Sequence, residues 1–122
     1  MTNHHISVMS VPVTDVDRSK AFYMDVLGFQ LVMDTTLPDG SLRWVMLKPP
    51  GGGTAITLVT WFDRMPAGAL QGMVLSVPNL DAALAALTAR QVPFSDPQSA
   101  PWGRWVTLQD PDANGWVIQQ DA

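Results

Sequence analysis

Stretches with a period of two and stretches with a helical period follow one another along the chain, and their order repeats. Ile6 to Val13 reads as a first strand, with Pro12 marking an edge or a bulge near its end. Thr14 or Asp15 caps a helix over Val16 to Leu27, in which Val16, Ala21, Phe22, Val26 and Leu27 approximate one face and Gly28 is the stop. Phe29 to Asp34 predicts a strand, and Pro38-Asp39-Gly40 a turn. Leu42 to Lys48 and Thr54 to Trp61 predict a hairpin around Pro49-Pro50-Gly51-Gly52-Gly53. Asp63 to Ala69 is the linker, and then the order restarts. Gln71 to Val77 is a strand, Asn79 caps a helix from Leu80 to Arg90, and Val92 to Ser95 is a short strand. A last hairpin, Trp102 to Gln119, closes on Asp110-Pro111-Asp112-Ala113-Asn114-Gly115. In that turn Pro fixes φ, Asp and Asn bond their own backbone, and Gly accepts positive φ.

The two hairpins share their letters. RWVMLKPPGGGTAITL from Arg43 stands against RWVTLQDPDANGWVIQ from Arg104, with Arg, Trp, Val, Leu and the second turn Pro in register. Val13-Thr14-Asp15-Val16-Asp17 likewise matches Val77-Pro78-Asn79-Leu80-Asp81, so the repeat takes in the first strand and helix of each half. The reading is an α+β chain of two tandem βαβββ modules in one domain spanning 1–122. The modules cover about residues 5–62 and 70–120, joined by 63–69.

Parity assigns faces. Val45, Leu47, Ile56 and Leu58, and Val106, Leu108, Trp116 and Ile118, form uniformly apolar sets suited to packing under a helix. The opposite faces carry Trp44, Met46, Lys48, Thr57, Val59 and Trp61 in one module, and Trp105, Thr107, Val117 and Gln119 in the other. If these mixed faces curve toward each other they line a cup, a usual place for a small ligand; a second core or a dimer interface is the alternative.

Composition narrows the options. With 47% apolar residues the chain can bury a core, and no apolar run reaches membrane-span length. The N-terminus shows no secretory pattern, so the expected compartment is the cytoplasm. Without Cys there is no thiolate nucleophile or ligand. A net charge of −4 argues against nucleic acid and suits a neutral or cationic small molecule. All eleven acidic residues are Asp.

Individual chemistry-bearing residues have bland accounts. His4 and His5 are adjacent, so a regular strand cannot turn both rings to one metal. Asp110 and Asp112 fit turn capping better than paired acid–base work, and Asp15, Asp17 and Asp81 lie at helix starts. Arg43 and Arg104 recur at matched positions with helix-side parity, suited to pairing with Asp at helix ends. Gly51-Gly52-Gly53 lacks the Lys and helix of a phosphate loop.

Val13-Thr14-Asp15, Arg18-Ser19, Phe22-Tyr23 and Val26-Leu27-Gly28-Phe29 resemble the opening helix of the vicinal oxygen chelate superfamily of glyoxalase, bleomycin-resistance and dioxygenase proteins. The Asp110–Gly115 turn is similar to that superfamily's final hairpin turn, usually DPDGN. The resemblance implies paired βαβββ modules whose mixed sheets form a cup, commonly in a homodimer. The enzymes of that superfamily hold a divalent metal there with four His, Glu or Gln side chains. Carried over, those positions fall on Val8, Thr57, Gly72 and Val117; counting from the repeat moves the second to Ile56. These residues make poor ligands, and with no Glu in the chain a small shift of alignment does not restore the carboxylates.

The expectation is therefore a small-molecule binding protein with no metal or other cofactor and no catalytic residue. It takes an aromatic or cationic molecule, with Trp44, Met46, Trp61, Trp102 and Trp105 for stacking and sulfur contacts and Thr57, Thr107 and Gln119 for hydrogen bonds. The alternatives are a lyase, isomerase or dioxygenase-like enzyme with a non-standard site, and a structural dimer whose cup is filled by its own side chains.

Overall fold

The structure is a computed structural model and describes residues 2–122. The first module comprises β1 (Val8–Pro12), α1 (Val16–Asp25), β2 (Gln30–Thr36), β3 (Arg43–Lys48) and β4 (Ala55–Val59). The second comprises β5 (Met73–Ser76), α2 (Leu80–Ala89), β6 (Gln98–Ala100), β7 (Gly103–Gln109) and β8 (Gly115–Asp121). Each makes a four-stranded mixed sheet, ordered β1-β4-β3-β2 and β5-β8-β7-β6. The outer pairs β1/β4 and β5/β8 are parallel and the rest antiparallel. This is the tandem βαβββ architecture that the repeat in the sequence implies.

The helix starts form as the caps dictate. The Asp15 carboxylate accepts the Arg18 N–H at 3.1 Å, and the Asn79 side chain accepts that of Ala82 at 3.0 Å. Helix α1 ends two residues earlier than the sequence suggests. Gly28, at φ +74°, then turns the chain so that the Phe29 N–H reaches the Tyr23 carbonyl at 2.9 Å.

Two elements differ from expectation. The short strand placed at Val92–Ser95 lies instead at Gln98–Ala100. Val92 and Phe94 are drawn against the core, and pairing with β7 is carried by a single residue, Ser95, before it resumes beyond Pro97. In the last turn the positive φ belongs to Ala113, at +67°, not to Gly115. An L-residue there is held in a conformation that glycine would adopt without steric penalty.

The parity assignment of the helix-covered faces holds. Val45, Leu47, Ile56, Leu58, Val106, Leu108, Trp116 and Ile118 are all buried and belong to one core that runs through both modules. The junction is aromatic. Tyr23 and Phe29 of module one meet Trp116 of module two with ring centroids 5.6 and 6.0 Å apart.

A polar cluster seals the same junction. The Tyr23 hydroxyl donates to Asp110 at 2.7 Å and accepts from the Trp116 indole N–H at 2.9 Å. Asn114 donates to Asp110 and to the Pro12 carbonyl, both at 2.8 Å. Asp112 accepts from the Thr14 hydroxyl at 2.6 Å and from Arg18. The last turn is thus a latch that docks module two onto the start of α1. Tyr23 and Asn114 are fully buried and Asp110 nearly so, and no buried side-chain polar atom among the described residues lacks a partner.

Candidate functional site

The face of the second sheet that points away from the helices is the open one. Cross-strand pairing arranges it in rows: Ser76, Gln119, Trp105 and Gln98 form one, and Val74, Val117 and Thr107 the next. Trp102 lies just before β7, yet its indole stacks on that of Trp105 with centroids 6.1 Å apart and planes 11° from parallel. Gly103 permits this: a Cβ there would collide with the Gln120 carbonyl, so only glycine lets the chain pass so close to β8. Trp102 remains 63% exposed, a large apolar surface with nothing over it.

Beyond the stacked pair the face sinks into a hollow of about 750 Å³, whose lining includes Gly72, Phe94, Ser95, Thr107, Gln109 and Val117. Trp105 stands two residues from Thr107 on the same face of β7, so the indole pair and the Gln119 amide opposite it adjoin the hollow without lining it.

Module one presents its opposite face differently. Thr57 is completely buried, with its hydroxyl 3.4 Å from Ser10 Oγ, and Ala55 and Val59 are buried beside it. Met46 is half-buried across from Thr57, and Trp44 half-buried across from Thr35. Trp61 lies past the end of β4, where strand parity no longer fixes its direction, with its ring 5.9 Å from Phe62. The ligand residues expected from sequence are thus divided. Trp102, Trp105, Thr107 and Gln119 come together on one sheet, and Trp44, Met46 and Thr57 belong to the other. Among the described residues no aromatic pair or hydrogen bond joins the two groups.

The positions at which a metal would be expected do not fit one. Val8, Gly72 and Val117 have no side-chain donor, and the Thr57 hydroxyl is buried beside Ser10. Pairing also decides between the two possible second positions. Thr57 sits opposite Ser10 as Val117 sits opposite Val74, while Ile56 faces the core. The first hairpin turn is one residue longer than the second, which is why an ungapped count lands on Ile56.

The repeated arginines are accounted for by ion pairs. Arg43 reaches Asp17 at 2.9 Å, and Arg104 reaches Asp81 at 3.3 Å: the same strand-to-helix pair in each module. Arg43 also forks onto Asp34, which accepts from Lys20 as well. The Arg43 hydrogen bonds, then that of Lys20, hold the Asp34 carboxyl well below its ordinary pKa. Burial first, and the Asp110 carboxylate second, push the Tyr23 hydroxyl far above the usual phenol range, so it stays a neutral donor. Asp110 caps the turn as expected, its Oδ1 accepting two backbone N–H groups at 2.9 Å, but the Asp112 carboxylate turns instead to Thr14, Arg18 and Ser19 of module one. His4 and His5 are exposed.

One residue that the sequence reading passed over lies at the rim. Asp121 follows Gln119 on the same face of β8, and the Gln119 amide N–H donates to its carboxylate at 2.9 Å. Extending the alternation by two positions from Gln119 would have found it.

Residues 3–118 match the model of the Glyoxalase/Bleomycin resistance protein/Dioxygenase superfamily. The chain belongs to that superfamily. Its fold is similar to that of TnmS3, an antibiotic binding protein from Streptomyces sp. CB03234, at 38% identity and a TM-score of 0.92, covering 100% of this chain and 99% of the other. A superfamily member from Sphaerobacter thermophilus DSM 20745 is similar at 30% identity and a TM-score of 0.86 over 99% of this chain and 100% of its own. YetH of Bacillus subtilis, an uncharacterized protein, is 25% identical over 120 residues, 94% of this chain and 97% of its own. Among the described residues no helix is long and apolar enough to cross a membrane.

Proposed function

We propose that this superfamily member is a metal-free binding protein that sequesters a small planar molecule, an antibiotic or related metabolite, and does so as a homodimer. The carrying observation is the exposed Trp102–Trp105 stack at the edge of the hollow bounded by Thr107. Indole faces bind planar apolar rings through dispersion and quadrupole contacts, while the hydroxyl and amide beside them orient the ligand. The antibiotic-binding neighbour at 38% identity supports the ligand class.

The division of the site supports the dimer. In one chain the Trp44–Met46 face and the Trp105–Gln119 face belong to separate sheets, and among the described residues no aromatic pair or hydrogen bond joins them. The inner strands β1 and β5 each lack a partner along one edge. A second copy supplies both, setting module one of one chain against module two of the other and closing a cup over the ligand.

The test is a tryptophan-fluorescence titration with planar polycyclic antibiotics, with mass spectrometry of the recovered compound and metal analysis of the protein. Saturable one-per-site quenching with the compound returned unchanged supports sequestration. Chemical conversion would overturn it. So would near-stoichiometric metal together with a rise in melting temperature on adding Mn²⁺, Fe²⁺, Co²⁺, Ni²⁺ or Zn²⁺, and either result would make the protein an enzyme.

A further inference from the structure

Resting on that binding reading, we infer that the ligand of the Trp102–Trp105 face is a planar cation, a fused-ring molecule carrying a protonated amine, and that Asp121 selects it.

The charge distribution on this face is one-sided. Its outward residues are Gly72, Val74, Ser76, Gln98, Trp105, Thr107, Gln109, Val117, Gln119 and Asp121, of which only Asp121 is ionised at neutral pH. Arg104, the nearest basic residue in sequence, points to the other face, where it pairs with Asp81. Among the described residues no Lys or Arg forms an ion pair with Asp121. Within its own sheet the carboxylate beside the indole stack thus has no basic partner.

Gln119 adds direction. One N–H of its NH₂ group is held by Asp121, which fixes the amide so that its oxygen, an acceptor, and its second N–H are left for a ligand. Besides that one N–H, the rim therefore offers two acceptors and one negative charge next to two π faces. An ammonium or amino-substituted ring nitrogen satisfies all of these at once: hydrogen bonds to the carboxylate and amide oxygens, and cation–π attraction to the indoles. An anionic ring system meets like charge at the same place. The indoles alone would favour a cation only modestly, and the carboxylate supplies the larger part of the discrimination against an anion.

The experiment compares three tricyclic probes of similar shape at neutral pH: 9-aminoacridine as the cation, acridine as the neutral ring and 9-anthracenecarboxylate as the anion. Each is titrated against the wild-type protein, D121N and W105A, with melting temperature as the control for folding. The wild type should bind the cation about tenfold more tightly than the neutral ring, and the anion most weakly. D121N should remove most of that preference, weakening the cation roughly five- to tenfold and leaving acridine unchanged. W105A should weaken all three. The preference should also shrink as salt is raised. Equal binding of cation and anion, or a preference that survives D121N, would overturn the role of Asp121 while leaving the binding reading intact. Failure of every probe to bind would defeat both.

Discussion

The two hairpins are written in nearly the same letters, yet their turns have different fates. The first, Pro49 to Gly53, is largely exposed, and its internal bond from the Gly52 N–H to the Pro49 carbonyl at 3.0 Å ties it only to itself. The second, Asp110 to Asn114, is sunk into the junction and wired to Tyr23, Pro12, Thr14 and Arg18 of the other module. Duplication copied a scaffold, and contacts made afterwards divided the labour. The β7–β8 hairpin holds the chain together at its turn and presents the indole stack and Asp121 at its opposite end, while the hollow reaches back to Gln109 and Asp110 beside the turn. Mutations in the turn should therefore report chiefly on stability, and those at Trp105 and Asp121 on binding.

The largest expected effect is at the latch. Asp110→Ala removes the acceptor for Tyr23, Asn114 and two backbone N–H groups, and should lower unfolding free energy by about 3–4 kcal/mol in urea denaturation. Pro50→Ala in the free turn should change it by less than about 0.5 kcal/mol. Equal losses would mean that the two turns are equivalent after all. Tyr23→Phe keeps the ring packing but strands the Trp116 N–H and leaves Asp110 Oδ2 with Asn114 as its one remaining donor, for a loss of about 2 kcal/mol by the same assay.

At the other end, Trp105→Ala should weaken a planar ligand tenfold or more, read by calorimetric titration, with the fold retained. Unfolding instead would make Trp105 part of the core. A smaller effect of opposite sign is expected at Ala113. Its φ of +67° suits glycine, so Ala113→Gly should raise stability by about 0.5–1 kcal/mol, seen as a higher melting temperature.

The smallest effect is one of pH. The folded pKa of Asp34 lies below its unfolded value of about 3.9, so its contribution is complete above that pH and is lost as pH falls through the folded value. Asp34→Asn should lower the melting temperature at pH 7 and approach the wild type as pH falls below about 4, so that its own decline in acid is flatter. A matching decline in both proteins would show the Arg43–Lys20–Asp34 cluster to be inert, the usual case for exposed pairs.

Much of this was legible in the sequence because it depends on neighbours in the chain. Caps at Asp15 and Asn79, strand parity at Val106 to Ile118 and the Arg43–Asp17 and Arg104–Asp81 pairs are all set by short spacings or by the repeat itself. Tyr23 was not legible. A helix stripe of Ser19 and Tyr23 looks too polar to bury until Asp110 and Asp112, far along the chain, supply its partners. The position of β6 was missed for a similar reason: apolar Val92 and Phe94 suggest a strand, but the core claims them and pairing falls to polar Gln98 and Ser99. At the site, the Trp102 stack depends on a glycine approach to β8 that no local pattern announces, and Thr57 is shut away by its neighbours across the sheet.

The latch also bears on the order in which the chain can acquire its structure. Its bonds join Pro12 to Asn114 and Tyr23 to Asp110, close to the widest sequence separations the chain allows. Contacts of such range form late, because the loop between them must be closed before they return any energy. Module one can assemble its strands early, but Tyr23 stays without its acceptor until the final hairpin arrives. Loosening that hairpin exposes the hydroxyl and the aromatic junction together. The two halves should consequently gain and lose structure in one cooperative step, despite their origin as a repeat.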